Sequence, residues 1–227
     1  MSYANLITPK RAKNKQGKDT GDPKYGLQCL FKVEDMDKFM TVNENDELVP
    51  VSLDAVCKEL AKTKWPGQSL GDIFPKDRTG SPKGWPIKSG DKLAEARNTK
   101  KKGSGDAYIG MKFISAKSNQ EYRPRLMVRG EDGKLLSLDM DKDDEGKWKN
   151  KTDAALAEKL FRSGSYAKAE ITVKAVELED NFITCYLNKI QFVKEGPRLG
   201  GGGGLMERFD GIDGGESDYD PTMDEME

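Results

Sequence analysis

Residues Ala167 to Val193 read AKAEITVKAVEL, then EDN, then FITCYLNKIQFV, and this stretch decides the fold class. Two runs rich in β-branched and aromatic residues flank an acidic, amide-bearing break, so Ala167 to Leu178 and Phe182 to Val193 form a hairpin around Glu179-Asp180-Asn181. Working outward, three more segments alternate with the period of two that half-buried strands require. Tyr25, Leu27, Cys29, Phe31 and Val33 alternate with Lys24, Gln28 and Lys32. From Tyr108 to Ser115, Ile109, Met111 and Phe113 oppose Lys112, and from Arg123 to Arg129, Leu126 and Val128 oppose Arg123, Arg125 and Arg129. An early strand from Tyr3 to Thr8 brings the set to about six. Two helices interrupt it. Leu53 to Thr63 aligns Leu53, Val56, Cys57 and Leu60 and stops at Trp65-Pro66-Gly67; the second has Thr152 as its N-cap, an apolar side of Leu156, Leu160 and Phe161, and Gly164 beyond its end. So few helices among short strands predict a small mainly β barrel rather than a parallel α/β sheet.

The net charge of -1 conceals a segregation of sign. Met206 to Glu227 carries nine acids and one base, a net -8, whereas Met1 to Leu205 carries 37 bases and 30 acids, a net +7. Between them run five consecutive glycines, Gly200 to Gly204, with no side chain to pack and the greatest backbone freedom. The expected organisation is a folded domain over 1–196, a glycine-rich hinge over 197–205 and a flexible acidic tail over 206–227. The 28 residues from Gly200 onward span ~30 Å as a flexible chain. A body with a radius of gyration of ~16 Å lies within that reach.

Composition removes several functions. The chain contains no histidine, the usual general base, proton shuttle and metal ligand, so the familiar serine, cysteine and zinc hydrolase mechanisms are excluded. Cys29, Cys57 and Cys185 stand far apart with no CxxC spacing and read as reduced core residues. No apolar run approaches the length of a membrane span, and Met1 to Lys10 lacks the apolar centre of a signal peptide, so a soluble intracellular protein is expected. Leu205 and Met206 follow the glycines where a phosphate loop needs a lysine and a hydroxyl. The acidic knot of Asp139, Asp141, Asp143, Asp144 and Glu145 reads as a charged surface turn, because Gly146 falls too late for an EF-hand loop. Trp65-Pro66 and Trp85-Pro86 read as packing residues. No cofactor and no metal is expected.

The remaining signal is cationic. Strand alternation places Arg123, Arg125 and Arg129 on one side with a spacing of ~7 Å per two residues, comparable with successive phosphates on an extended strand. Tyr122 beside them offers an aromatic surface, and arginine both pairs with phosphate and stacks on bases. Lys10, Arg11, Lys13, Lys15 and Lys18, and Arg97, Lys100, Lys101 and Lys102, are expected in mobile loops at a barrel rim, closing over a nucleic-acid backbone. Lys112, Tyr108 and Tyr166 complete the candidate set. The acidic tail imitates phosphate and competes for the basic groove; on release, Asp218, Tyr219, Asp220, Asp224, Glu225, Met226 and Glu227 are its candidate contacts to a protein partner.

The N-terminal strand Tyr3 to Lys10, the Lys24-Tyr25 strand start, WPIKSGD at Trp85 to Asp91, SGSY at Ser163 to Tyr166, LNKIQFV at Leu187 to Val193, and Gly196 to Leu199 with the glycines after them occur in an order that resembles one family. It is the single-stranded DNA-binding proteins of tailed phages, and the resemblance covers nearly the whole chain. It implies an OB-fold of five barrel strands with added elements, a DNA groove across one barrel face, and an acidic tail that contacts phage or host replication and recombination proteins in the cytoplasm of the infected bacterium. Comparable proteins often finish in an aromatic residue; this chain finishes Met226-Glu227, which passes that role to Tyr219 or Met226. The expected function is sequence-tolerant binding of single-stranded DNA without catalysis, with oligomerisation left open. The competing readings are an interaction or virion-structural module, a strand-annealing recombinase, and a metal-dependent nuclease on Asp139, Asp141 and Asp143.

Overall fold

A computed structural model describes residues 3–14, 16–76, 82–100 and 102–197. Its centre is the expected hairpin, as β9 (Tyr166–Glu177) and β10 (Asn181–Lys194) pair antiparallel over their full length. The opposite edge of β10 is divided between two parallel neighbours. Its first half meets β6 (Met111–Asn119) at Cys185 and Tyr186, and its second half meets β7 (Arg125–Arg129) at Lys189 to Gln191. One strand serving two neighbours on one edge forces the sheet to curl. β6 then pairs with β2 (Asp19–Lys32), β2 with β1 (Tyr3–Lys13), and β7 with β8 (Leu135–Ser137), while β5 (Ile87–Ser89) joins β6. The result is the mainly β class expected: a curled half-barrel, with eight strands in its sheet rather than the five of a minimal barrel.

Alternation along the strands sorts residues to two faces. The inner face carries Leu6, Leu27, Ala116, Leu126, Val128, Cys185, Leu187 and Ile190, all buried, against Ala154, Ala157 and Phe161 at helix 151–160. Each large side chain buried this way contributes about 1.5–3 kcal/mol relative to exposure. The same face continues to Ile114 and Ile183, covered by Leu53, Cys57 and Ala61 of helix α1 (Leu53–Lys64) and by Trp65, Ile73 and Phe74 after it. Trp65 and Trp85 both pack edge-on against Phe74, in the packing role expected of them.

Several boundaries differ from expectation, for identifiable reasons. β1 runs past Thr8 to Lys13 and β2 begins at Asp19, so Lys10, Arg11 and Lys13 stand on a paired arm rather than in a loop. Main-chain pairing such as Ala12 with Thr20 holds this polar segment extended, and the register shift around Pro9 accommodates a residue with no N–H to donate. Asn14 closes the turn by accepting the N–H groups of Gln16 and Lys18 at Oδ1. Beyond β2, Phe39–Val42 (β3) and Leu48–Val51 (β4) form a separate two-stranded ribbon. After α1 comes the short α2 (Leu70–Ile73).

The segment expected as a mobile loop before Tyr108 is instead helix α3 (Gly90–Lys100). It covers one end of the outer sheet face, packing Leu93 and Ala94 with Tyr108 onto Phe113 and Leu30. Backbones approach closely here, since a Cβ on Gly90 would lie 2.3 Å from the Tyr108 carbonyl and one on Gly105 2.2 Å from that of Ala94. The following strand therefore starts at Met111, and Tyr108 sits in a 3-10 turn, Asp106–Tyr108. Helix α4 (Lys151–Leu160) is capped by Asn150, whose side chain accepts the Asp153 N–H, and not by Thr152, which lies inside its first turn.

Candidate nucleic-acid interface

The open part of the sheet is the outer face of β6, β7, β9 and β10, and pairing fixes what stands there. Tyr186 on β10 lies beside Lys117 on β6 and Thr172 on β9; Lys189 lies beside Arg125 and Glu170; Gln191 lies beside Met127 and Lys168. Two register shifts in β10, at Leu187/Lys189 and Phe192/Lys194, each insert one extra residue. Leu187, Ile190 and Phe192 stay packed inward, so Asn188, Lys189, Val193 and Lys194 are all left to the outer side. Bulges re-aim side chains in this way beside functional surfaces.

The resulting face holds Lys117, Arg125, Arg129, Lys168, Lys174, Lys189 and Lys194, with Glu170 as the carboxylate among them. Glu170 is paired to the Lys189 ammonium at 2.6 Å. Two tyrosines lie in the same field, Tyr186 with the Lys174 ammonium 5.4 Å from its ring centre, and Tyr166 with that of Lys194 at 4.9 Å. Asn188 donates from Nδ2 to Thr172 Oγ1 at 2.8 Å, tying the bulge to β9. The chain leaves the face beside Tyr166, where Gly196 approaches so closely that a Cβ would meet the Gly164 carbonyl at 2.3 Å and the Tyr166 ring at 2.7 Å. The structure thus brings together cations, spaced hydrogen-bonding groups and exposed aromatic rings on one curved surface, the chemistry that holds an extended polyanion with stacked bases.

The expected row of three arginines is only partly realised. Arg125 and Arg129 lie exposed on this face, Arg129 donating from Nη1 to the Gly133 carbonyl. Arg123 precedes the strand, ahead of the buried Pro124, and turns away from the row. Its Nε donates to Tyr25 Oη at 3.0 Å, and its guanidinium lies 5.4 Å from the Tyr25 ring centre and 5.2 Å from that of Trp148. Pro124 ended the alternation on which the three-arginine row depended.

Tyr122 is exposed in the turn before β7, with its carbonyl accepting from the Ser118 hydroxyl. Tyr166 is exposed, as a stacking role requires, but Tyr108 is fully buried under α3 with the Arg97 guanidinium 4.6 Å from its ring centre. Tyr108 presents no ring to a base, and Arg97 is a core residue. Lys112 shares its side of β6 with Ile114, facing the α1 layer and not the cationic face. Lys100 and Lys102 are exposed at and after the end of α3, while Arg11 and Lys13 are exposed on the β1–β2 arm, where Arg11 donates from Nη1 to the Gly21 carbonyl at 2.8 Å. Lys101, the hinge Gly200–Gly204 and the tail candidates from Asp218 to Glu227 lie outside the described residues.

Lys117, Lys168, Lys174, Lys189, Lys194 and Tyr186 were not among the residues singled out from the sequence. Apart from Lys117 on β6, their signal was present in the polar positions of the very hairpin that identified the fold, yet which polar positions adjoin one another depends on the bulges and on the split edge of β10. The acidic knot is a hydrogen-bonded hairpin: Asp143 accepts the Glu145 and Lys147 N–H groups at Oδ1, and Lys149 N–H reaches the Asp141 carbonyl. Asp139 N–H donates to Asp153 across the start of α4. Among the described residues no three His, Cys, Asp or Glu side chains gather as metal ligands. Burial pushes the three thiols up, Cys29 to about 11 and Cys57 and Cys185 to about 12, so each is held protonated.

A curled half-barrel with a plugged interior and a cationic, aromatic outer face is the build of a β-rich polyanion-binding module. The family model for the single-stranded DNA-binding protein of Enterobacter phage Enc34 matches residues 1–220. This chain belongs to that family. Among solved structures it is similar to the single-stranded DNA-binding protein from bacteriophage Enc34 in complex with single-stranded DNA, at 19% identity and a TM-score of 0.47, with 88% of this chain and 84% of that one covered. A second structure of the single-stranded DNA-binding protein from bacteriophage Enc34 is similar at 17% identity and a TM-score of 0.44, covering 88% of this chain and 80% of that one, and its C-terminal truncation at 17% and 0.44, covering 86% and 81%. No curated protein matches.

Proposed function

We propose that this protein coats single-stranded DNA, with little regard to sequence and without catalysis, during phage DNA replication or recombination in the cytoplasm of the infected bacterium. The observation that carries the reading is the outer face itself: seven cations against one carboxylate that is already paired, interleaved with Tyr166 and Tyr186. Arg125, Arg129, Lys117, Lys168, Lys174, Lys189 and Lys194 neutralise successive phosphates, and the two tyrosines stack on bases. Every base has a π-face, which makes such stacking tolerant of sequence. The exposed Tyr122, Arg11, Lys13, Lys100 and Lys102 extend the path at its margins. Membership of a family described as phage single-stranded DNA-binding proteins supports the same polymer. Among the described residues no helix is long and apolar enough to cross a membrane.

The acidic tail completes the proposal. Gly196, against Tyr166 at the edge of the cationic face, is ten residues before the segment of net charge -8, so a flexible connection of that length lets the acids reach the surface where phosphates would lie. Weakly held strands lose to the tail; a long strand displaces it and frees Asp218 to Glu227 for a replication partner. Fluorescence titration with a dT oligonucleotide tests the binding reading. Tight association that weakens as salt rises, with a slope of about -0.7 per phosphate contacted, is expected, and comparable affinity for a mixed-sequence strand. Affinity weaker than millimolar, or indifferent to salt, would overturn it.

A further inference from the structure

The two ends of β2 carry opposite surfaces. β2 runs for 14 residues, a contour of ~45 Å. Its first end is the β1–β2 arm, where Lys10 to Lys24 contains six bases, Lys10, Arg11, Lys13, Lys15, Lys18 and Lys24, against Asp19 and Asp22. At its other end the chain passes into the β3–β4 ribbon, and Val33 to Val51 contains six acids, Glu34, Asp35, Asp37, Glu44, Asp46 and Glu47, against Lys38. The ribbon is anchored at its root by Phe39, edge-on to Phe31 with ring centres 5.2 Å apart. Its tip is set by Asn43, which accepts the Asn45 and Glu47 N–H groups at Oδ1. Pairing puts Met40 with Pro50 and Val42 with Leu48 on the outward face, where Met40, Val42 and Leu48 are 53%, 57% and 67% exposed. An apolar face with an acidic rim is thus presented to solvent, on a ribbon whose root packs through Phe39 with the α1 layer.

We infer that the occupant of this face is a second copy of the same chain, whose basic β1–β2 arm docks on the β3–β4 ribbon of its neighbour. Charge complementarity selects the pair: the arm is a net +4 and the ribbon segment a net -5, and they belong to one molecule at opposite ends of one strand. A contact between two different patches is heterologous and repeats without closing, so it generates an open head-to-tail array. Both docking ends adjoin β2, which pairs with β6 at the margin of the cationic face, so neighbouring copies would present their faces in succession along a bound strand. This inference rests on the strand-binding reading above.

The full-length protein is titrated onto a dT oligonucleotide one site long and onto poly-dT, and filling of adjacent sites is read by sedimentation and by electron microscopy. E44Q/D46N/E47Q and V42T/L48T remove the acidic rim and the apolar face separately, at exposed positions outside the proposed DNA path. Both variants should keep one-site affinity within about twofold, yet lose about tenfold or more of the preference for a site beside an occupied one. E44K/E47K mixed with K10E/K18E should restore adjacent filling that neither shows alone, because every junction in the alternating array is again complementary. Variants that fill poly-dT as steeply as the natural protein, or a natural protein that fills it without adjacency preference, overturn the docking and leave strand binding standing. Failure of the natural protein on the one-site oligonucleotide instead overturns the strand-binding reading, and the array with it.

Discussion

Arg123 and Arg125 are two residues apart, yet the first is spent on the fold and the second stands free on the outer face. Arg123 donates to Tyr25 and lies over two aromatic rings, so Arg123→Ala should lower stability by about 1–2 kcal/mol in urea unfolding and leave the salt dependence of strand binding nearly unchanged. Arg125→Ala should do the reverse: unchanged unfolding, affinity for a dT strand lower by about fivefold, and a salt slope shallower by about 0.7, as read by fluorescence titration. The thiols supply a second residue-scale expectation. Burial raises Cys29 to about 11 and Cys57 and Cys185 to about 12 from the ordinary 9.0, so only the unfolded chain gains thiolate in that interval. Stability from these groups is therefore complete below pH 9 and declines as pH rises through 9 towards 12. At pH 8 the buried Cys57 and Cys185 should react with a thiol reagent only as fast as the protein unfolds, and the half-buried Cys29 faster than either.

Among the elements, α3 is the least visible in the sequence and the most dependent on close packing. Its only large buried apolar residue is Leu93, and Arg97, which looks like a surface charge, is buried over Tyr108. A helical stripe needs several apolar residues at matched spacing, so the segment carried no periodic signal. What holds it is the approach of Gly90 to the Tyr108 and Met111 carbonyls, at distances of 2.3 and 2.7 Å for an added Cβ. Gly90→Ala forces two backbones apart and should cost about 2 kcal/mol or more in denaturant unfolding, exposing Tyr108 to solvent as a change in its fluorescence. The same substitution at Gly110, where nothing lies within 4 Å of the added Cβ, meets only the strain of its positive φ of 69° and should cost less.

At the scale of the whole molecule, charge is parted along the chain and again across the surface. The outer sheet face and the β1–β2 arm are cationic, the β3–β4 ribbon is acidic, and the sequence that follows Gly196, which lies beside Tyr166, carries the acidic residues from Glu207 onward. Truncation after Arg198 should tighten binding of a short dT strand several-fold at low ionic strength, with the difference shrinking as salt screens tail and strand alike. Titration of the truncated and full-length proteins across a salt series checks this; equal affinity at low salt would remove the competition from the proposal.

The sequence by itself determined the central hairpin, the mainly β class, the α1 and α4 segments, the core cysteines and the separation of charge, because periodicity, turn chemistry and composition are local properties that need no partner. Only the tertiary structure decided which polar positions share a surface. Lys117, Tyr186, Arg125 and Lys189 come from three strands and meet because β10 divides one edge between β6 and β7 and bulges twice. Tyr108 and Arg97 were withdrawn from the surface by a helix whose hold is backbone contact rather than side-chain pattern. Adjacency across strands is a matter of register, and register is set by long-range pairing that no single stretch of sequence contains.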